Sequence, residues 1–301
     1  VEVMILGLAT ALPPRSIAQS EAVELAADYG CRSEEERRLL RVLYRRTGVR
    51  TRSSVSLETD ASPHRRPAFF PLPTAPPDMG PGTEARMRRY REEAGRLAER
   101  AAKAALDDAS LAPEWVSQLV TVSCTGFYAP NFDVALIKRL GLPATTGRTH
   151  VGFMGCHGAL NALRVASALA RATPGANVLL CAVELCSLHF QYGFDPDQMV
   201  ANALFSDGAA AALVGPGDGG SAGWRVRASG AWLLPDSEDS MTWTIGDNGF
   251  VMTLSPQVPD LIARHLRPNL EPWLAQHGLA LSDVATWAVH PGGPRVVSAV
   301  G

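Results

Sequence analysis

Five cysteines and seven histidines carry most of the chemistry open to this 301-residue chain. Cys156 stands apart by its setting. The run VGFMGCHG places it where a short apolar strand turns, between Gly155 and Gly158, into the helix expected over Ala159–Ala172. A helix N-terminus presents about half a positive charge and unpaired N–H groups. That setting favours a thiolate and lowers a cysteine pKa. Flanking glycines let a substrate carbonyl approach the backbone closely. The chemistry expected is nucleophilic attack by sulfur on a thioester. The competing reading is a small cysteine packed in a tight turn.

Such a nucleophile needs a base or an imidazolium. His64, His265 and His277 fall in polar stretches and read as surface residues, and His150 precedes the VGFM strand. His157 adjoins Cys156, but neighbours on a helix point about 100° apart. His290 ends the expected strand TWAVH just before the turn PGGP. The C-terminal end of a strand is where α/β sheets place functional groups, so His290 is the partner expected. Cys181, Cys186 and His189 form C-x4-C-x2-H, yet no fourth ligand of matching spacing follows, so no metal is expected. Gly215–Gly220 fits G-x-G-x-x-G, but no helix pattern follows it, which removes the dinucleotide reading.

The elements that must position these residues read as an α/β chain. Strands are expected at 1–8, 119–124, 151–154, 178–185 and 209–214, and helices over 16–41 with a break at Gly30, over 84–108 and around 133–140. The helix after Cys156 has so little polar face that burial on most sides is expected. Residues 62–83 hold many prolines and no periodicity and read as a loop. SLAPEWVSQLVTV (110–122) aligns without gaps to GLALSDVATWAVH (278–290), each after a helix and before a strand, which suggests a duplicated unit. From residue 122 the first copy runs about 95 residues to 217; from 290 the second has 11 to the end at 301. The expected organisation is an N-terminal half over 1–217 carrying the cysteine and an incomplete C-terminal half over 218–301 carrying the histidine.

Composition is that of an ordinary globular chain, with 46% hydrophobic and 19% charged residues and a net charge of −2. Nothing in it suggests nucleic acid. No apolar run reaches membrane-spanning length. The odd cysteine count argues against a disulfide framework, and the first residues lack a basic n-region, so reduced thiols and a cytoplasmic location are expected.

With Cys156 and His290 in hand, MGCHGALNALRVA (154–166), CAVELCSLHFQ (181–191), NALFSDGAAAALVG (202–215) and WAVHPGGP (287–294) together resemble the type III polyketide synthases, the chalcone synthase superfamily. The resemblance implies a thiolase-like fold, two duplicated α/β halves in αβαβα layers with the C-terminal half truncated. It implies that Cys156 accepts a starter acyl group from coenzyme A, that His290 pairs with its thiolate, and that malonyl-CoA extends the chain with no further cofactor. Phe205 and Met252 match the two gatekeeper positions, Met252 standing where the family has phenylalanine. Cys124, Thr125, Glu184, Cys186, His189 and Ile245 match cavity positions. Ala129 matches the residue that crosses into the partner subunit of a homodimer. Arg45 and Arg46, with Gly292 and Gly293, are the coenzyme A candidates.

The family's third catalytic residue, an asparagine in G-N-x-S, has no counterpart up to Gly301, about 60 residues short of the family pattern. Competing readings are therefore an inactive truncated relative and a ketoacyl synthase III-like enzyme acting on a carrier protein. A long-chain acyl starter is the favoured expectation, with malonyl-CoA alone close behind.

Overall fold

The computed structural model describes residues 2–57, 69–74, 78–217 and 223–301. His64 and residues 62–68 and 75–77 of the 62–83 loop lie outside these; 69–74 and 78–82 form neither helix nor strand, and Thr83 already begins a helix.

The chain opens with β1 (Val3–Ala11), β2 (Ser16–Ala18), α1 (Gln19–Gly30), α2 (Glu34–Arg46) and β3 (Thr51–Ser53). The break expected at Gly30 is real. Ser33 caps the new helix by accepting from the Glu36 N–H at 3.2 Å. Then come α3 (Thr83–Asp108), β4 (Val116–Ser123), α4 (Phe132–Leu140), β5 (Gly147–Gly152), α5 (Gly158–Ala172), β6 (Asn177–Leu185), α6 (Pro196–Leu204) and β7 (Asp207–Pro216). The rest comprises β8 (Trp224–Arg225), the hairpin β9 (Met241–Gly246) and β10 (Gly249–Leu254), α7 (Val258–Gln276) and α8 (Pro294–Val300). Among the described residues no helix is long and apolar enough to cross a membrane.

The main sheet runs β5-β4-β6-β7-β1-β8. β5, β4 and β6 are parallel, while β7 is antiparallel to both β6 and β1. Side chains alternate across a strand, and β6 shows the consequence. Leu179, Cys181 and Val183 enter a core formed with α3 and α4, whereas Val178 and Leu180 enter a second core with α5. A continuous apolar strand is what a sheet covered on both faces requires.

Three sequence expectations need correction. The strand placed at VGFM runs instead over Gly147–Gly152 and ends before Phe153, whose φ of 55° interrupts extended backbone. It is an edge strand with alternating burial, which its polar start GRTH disguises. The helix α5 is buried along one stripe only. Gly158, Ala162, Ala166 and Ala170, four apart, press on the sheet, while Leu160 on another face is 66% exposed. Third, TWAVH forms no strand, because no described strand lies beside residues 284–290 to pair with them. The main sheet is thus covered by α3 and α4 on one face and by α5 on the other, three layers in all.

The suspected repeat has a backbone counterpart. Ser110 and Gly278 both have positive φ, at 51° and 70°. The next residues, Leu111 and Leu279, each donate to a leucine carbonyl five residues back, Leu106 and Leu274, at 3.0 Å. A three-residue 3₁₀ turn follows in both, Pro113–Trp115 and Leu281–Asp283, and then extended backbone at Val116 and Val284.

Candidate active site

Cys156 lies in the 3₁₀ turn Gly155–His157, which runs directly into α5. The two glycines serve different needs from the one expected. Gly155 adopts φ 67°, which favours glycine, and Gly158 is buried so tightly that a Cβ there would stand 3.0 Å from Val122 Cγ1. Cys156 itself is exposed and opens onto a cavity of about 280 Å³.

Strand ends and their turns build the cavity floor. Cys124 and Thr125 follow the end of β4, and Glu184 is the last residue but one of β6 with Cys186 just beyond it; all four line the cavity. Gly126 continues the turn because Tyr90 lies beneath it, where a Cβ would fall 2.3 Å from the ring. The Glu184 carboxylate accepts from Thr125 Oγ1 at 2.6 Å, from Ser123 Oγ at 3.3 Å, and from the Cys124 N–H at 2.9 and 3.0 Å. It borders the cavity, and burial still pushes its pKa up to about 7 against these donors.

The carboxyl therefore ionises near pH 7 when folded and near 4.5 when unfolded. Its contribution to stability is complete below about pH 4.5 and is lost as pH rises through 7. Replacing it with glutamine removes this dependence. The stability of wild type relative to Glu184→Gln is expected to fall by up to about 3 kcal/mol between pH 4.5 and 8. Urea unfolding of both proteins across this range checks it; a constant difference contradicts it.

The same carboxylate bears on the thiols. Burial, then Glu184, raises the Cys156 pKa, while its own backbone N–H lowers it. The helix end does not by itself deliver the thiolate expected from sequence. Burial pushes Cys124 up to about 11, Glu184 adding to it, and its Sγ accepts from the Gly155 N–H at 3.1 Å. Burial also holds Cys186 well above the ordinary thiol range.

His189 is part of the wall. Its Nε2 donates to the Thr125 carbonyl at 2.7 Å and its Nδ1 accepts from the Phe250 N–H at 3.0 Å. Both nitrogens are engaged, and burial pushes its pKa down to about 4, so the ring is neutral and holds no base. It stacks on Phe250 at 4.1 Å, and Trp243 stands edge-on at 5.3 Å while donating to the Cys124 carbonyl. The β9–β10 hairpin thus forms one side of the cavity. Met252, on this hairpin, and Phe205, just after α6, both line it.

Ile245 does not face the cavity; it lies on β9 opposite Phe250 and is 48% exposed. It shares the face of Trp243, two residues before it, but stands beside the hairpin turn, past the cavity lining. Ala129 is exposed and precedes Pro130 through a cis peptide bond. Arg45 and Arg46 are exposed on the last turn of α2.

His290 is exposed, lies outside the cavity lining, and has no described contact with Cys156. Its turn nevertheless adjoins the cavity's edge. A Cβ on Gly293 would be 3.8 Å from Leu204, the residue before Phe205, and one on Gly48 would be 4.0 Å from Pro294. Gly292, Gly293 and the arginine-bearing end of α2 therefore flank one region. Among the described residues no cluster of His, Cys, Asp and Glu is arranged to hold a metal.

The cavity also has a wing the motifs did not announce. Ile17, Ala22, Leu25, Ala26 and Tyr29 from β2 and α1, with Leu57 and Phe70, extend it as an apolar arm. The amphipathic pattern of α1 was the available signal, but one helix face does not reveal which cavity it lines.

Residues 2–218 match the family described as chalcone and stilbene synthases, N-terminal domain. The chain belongs to this family. A 1,3,6,8-tetrahydroxynaphthalene synthase of Streptomyces peucetius subsp. caesius is 38% identical, over 97% of this chain and 74% of its own length. An alpha-pyrone synthesis polyketide synthase-like protein, Pks18, of Mycobacterium tuberculosis is 33% identical, over 98% of this chain and 73% of its own. The crystal structure of PKS-I from the brown alga Ectocarpus siliculosus superposes with a TM-score of 0.90 at 32% identity, covering 99% of this chain and 79% of that one. The type III polyketide synthase resemblance and the thiolase-like fold class expected from sequence both hold.

Proposed function

We propose that the chain carries out decarboxylative condensation of malonyl-CoA onto an acyl-CoA starter held as a thioester on Cys156. The poly-β-keto chain then cyclises to a pyrone, resorcinol or naphthalene-type product. The observation that carries this is the placement of one exposed thiol, at a helix start, on the floor of a largely apolar cavity in a polyketide synthase fold.

In this reading the Cys156 sulfur attacks the starter carbonyl and coenzyme A leaves as its thiol. Burial and Glu184 oppose the thiolate, so a cation must offset them. His290 is the group proposed, brought from the turn that rests against Leu204 toward the cavity. Malonyl-CoA then loses carbon dioxide, and the resulting carbanion attacks the acyl thioester. Phe205 and Met252 gate the cavity, and Cys124, Cys186 and His189 shape it. Arg45 and Arg46, exposed cations near Gly292 and Gly293, are proposed to hold the coenzyme A phosphates. The exposed Ala129 is proposed to meet a partner subunit in a homodimer, and the cytoplasm is the proposed location. Residues 1–217 are proposed as the nucleophile-bearing half and 218–301 as the beginning of its duplicate.

The apolar arm favours a long-chain acyl starter. Each methylene moved from water into such an arm contributes about 0.8 kcal/mol. Ala26, 8% exposed at the arm, offers a test. Ala26→Phe is expected to displace about four methylenes and lower kcat/KM for a long-chain acyl-CoA about 100-fold, with a small effect on acetyl-CoA. Steady-state kinetics with acyl-CoA thioesters of increasing length measure this. Equal losses for short and long starters would overturn the arm's assignment.

A further inference from the structure

One wall of the cavity is polar where the remainder is mostly apolar. Ser54, Ser56 and Ser187 all face it. Ser54 Oγ lies 2.7 Å from Ser56 Oγ and 2.7 Å from Ser187 Oγ, and Ser187 Oγ donates to Asp207 Oδ2 at 2.7 Å. Asp207 stands behind the serines, outside the lining and 3% exposed. Its carboxylate also accepts from the Val55 N–H at 2.7 Å and the Ser187 N–H at 2.8 Å.

The carboxylate fixes every proton in the chain. An ionised carboxylate only accepts, so Ser187 donates to Asp207, Ser54 donates to Ser187, and Ser56 donates to Ser54. The Ser56 oxygen is left as an acceptor at the cavity end, with no described side chain donating to it. A string of hydroxyls polarised toward a buried anion is arranged to pass a proton inward.

We propose that Ser56, Ser54, Ser187 and Asp207 form a proton relay that accepts the proton released when the polyketide chain enolises for carbon–carbon ring closure. The proposal rests on the polyketide synthase reading of the site. A methylene between two carbonyls loses its proton to Ser56 Oγ, and its C–H electron pair remains on the substrate as the enolate. The Ser56, Ser54 and Ser187 protons each move one place inward, and Asp207 Oδ2 gains the last. The enolate carbon then bonds to a second carbonyl of the same chain. The proton returns along the serines to the alkoxide formed, or to the Cys156 thiolate released if the thioester carbonyl was attacked. No outside oxidant or base is needed. Burial pushes the Asp207 pKa up to about 6, Arg52 partly opposing this. A free carboxylate would hold a proton less readily.

The test compares wild type with Ser54→Ala. The variant cuts the relay and removes the Ser54 Oγ that accepts the Ser56 N–H at 3.0 Å, but leaves Asp207 its three donors, two N–H groups and the Ser187 hydroxyl, and urea unfolding verifies that the fold survives. Both proteins are given a starter acyl-CoA and malonyl-CoA, and the products and the Cys156 peptide are quantified by mass spectrometry. The ratio of carbon-ring products to lactones and hydrolysed chains is expected to fall about 100-fold, while acylation of Cys156 and malonyl-CoA consumption change less than about twofold. Ser54→Thr, which keeps a hydroxyl, is expected to restore the ratio. An unchanged ratio in Ser54→Ala, or a wild type that yields lactones alone, overturns the relay and leaves the synthase reading standing. A wild type that never acylates Cys156 overturns both.

Discussion

Replacing Cys156 with alanine is expected to lower condensation by about 10,000-fold or more, to the limit of detection, while the fold survives. The side chain opens onto the cavity rather than into either core, so its removal leaves no void among packed residues. Neither neighbouring thiol can take its place. Cys124 is buried with its pKa near 11 and its sulfur already bound to the Gly155 N–H, and burial holds Cys186 well above the ordinary thiol range. Product formation from malonyl-CoA and an acyl-CoA starter, followed by mass spectrometry, measures the loss. Condensation persisting within about tenfold of wild type would remove Cys156 from the chemistry.

The largest expected effect on stability comes from Arg86, which is wholly buried near the start of α3. Its Nε donates to the Pro81 carbonyl and its Nη1 to those of Leu188 and Phe190, each at 2.8 Å. The guanidinium also lies 5.3 Å over the Phe70 ring and packs under Gly249, where a Cβ would stand 2.9 Å from Nη1. No carboxylate pairs with it among the described residues, and burial pushes its pKa down to about 10. Keeping that charge buried costs about 3 kcal/mol. Three carbonyl bonds to a charged donor, with the packing of the long side chain, outweigh this cost. Arg86→Ala removes the donor of three carbonyls, that of Leu188 buried and those of Pro81 and Phe190 part-buried, and leaves a void, so a loss of about 3–5 kcal/mol is expected in urea unfolding. Arg86→Met, which fills the space without the charge, should lose less. If alanine and methionine cost the same, the void would be ruled out as a contributor.

Arg86 also shows where sequence reading stops. In TEARMRRYREE it is one arginine among several, and nothing in the spacing marks the one that turns inward. Its partners are carbonyls 102 and 104 residues away, contacts that exist only once the turn after β6 is folded. The Ser54–Ser187–Asp207 chain is hidden for the same reason, since its members span 133 and 20 positions. By contrast, the strands β6 and β7 and the helix α3 were readable because apolar runs and 3.6-residue periodicity are local. Cys156 was readable because a Gly-Cys-x-Gly turn into a helix is local too.

His290 marks the intermediate case. Its residue type and the PGGP turn are plain in the sequence, but its position depends on a strand that residues 284–290 do not form here. Phe205, Met252 and Glu184 line the cavity, whereas Ile245, on the same face of β9 as Trp243 but next to the hairpin turn, does not.

The most direct test is to mix the protein with a long-chain acyl-CoA, without malonyl-CoA, and quench within seconds. Intact and peptide mass spectrometry should find one acyl group per chain, on the tryptic peptide containing Cys156 and nowhere else. A protein that remains unmodified while consuming the thioester, or that carries the acyl group on Cys124 or Cys186 instead, would contradict the assignment of Cys156 as the nucleophile.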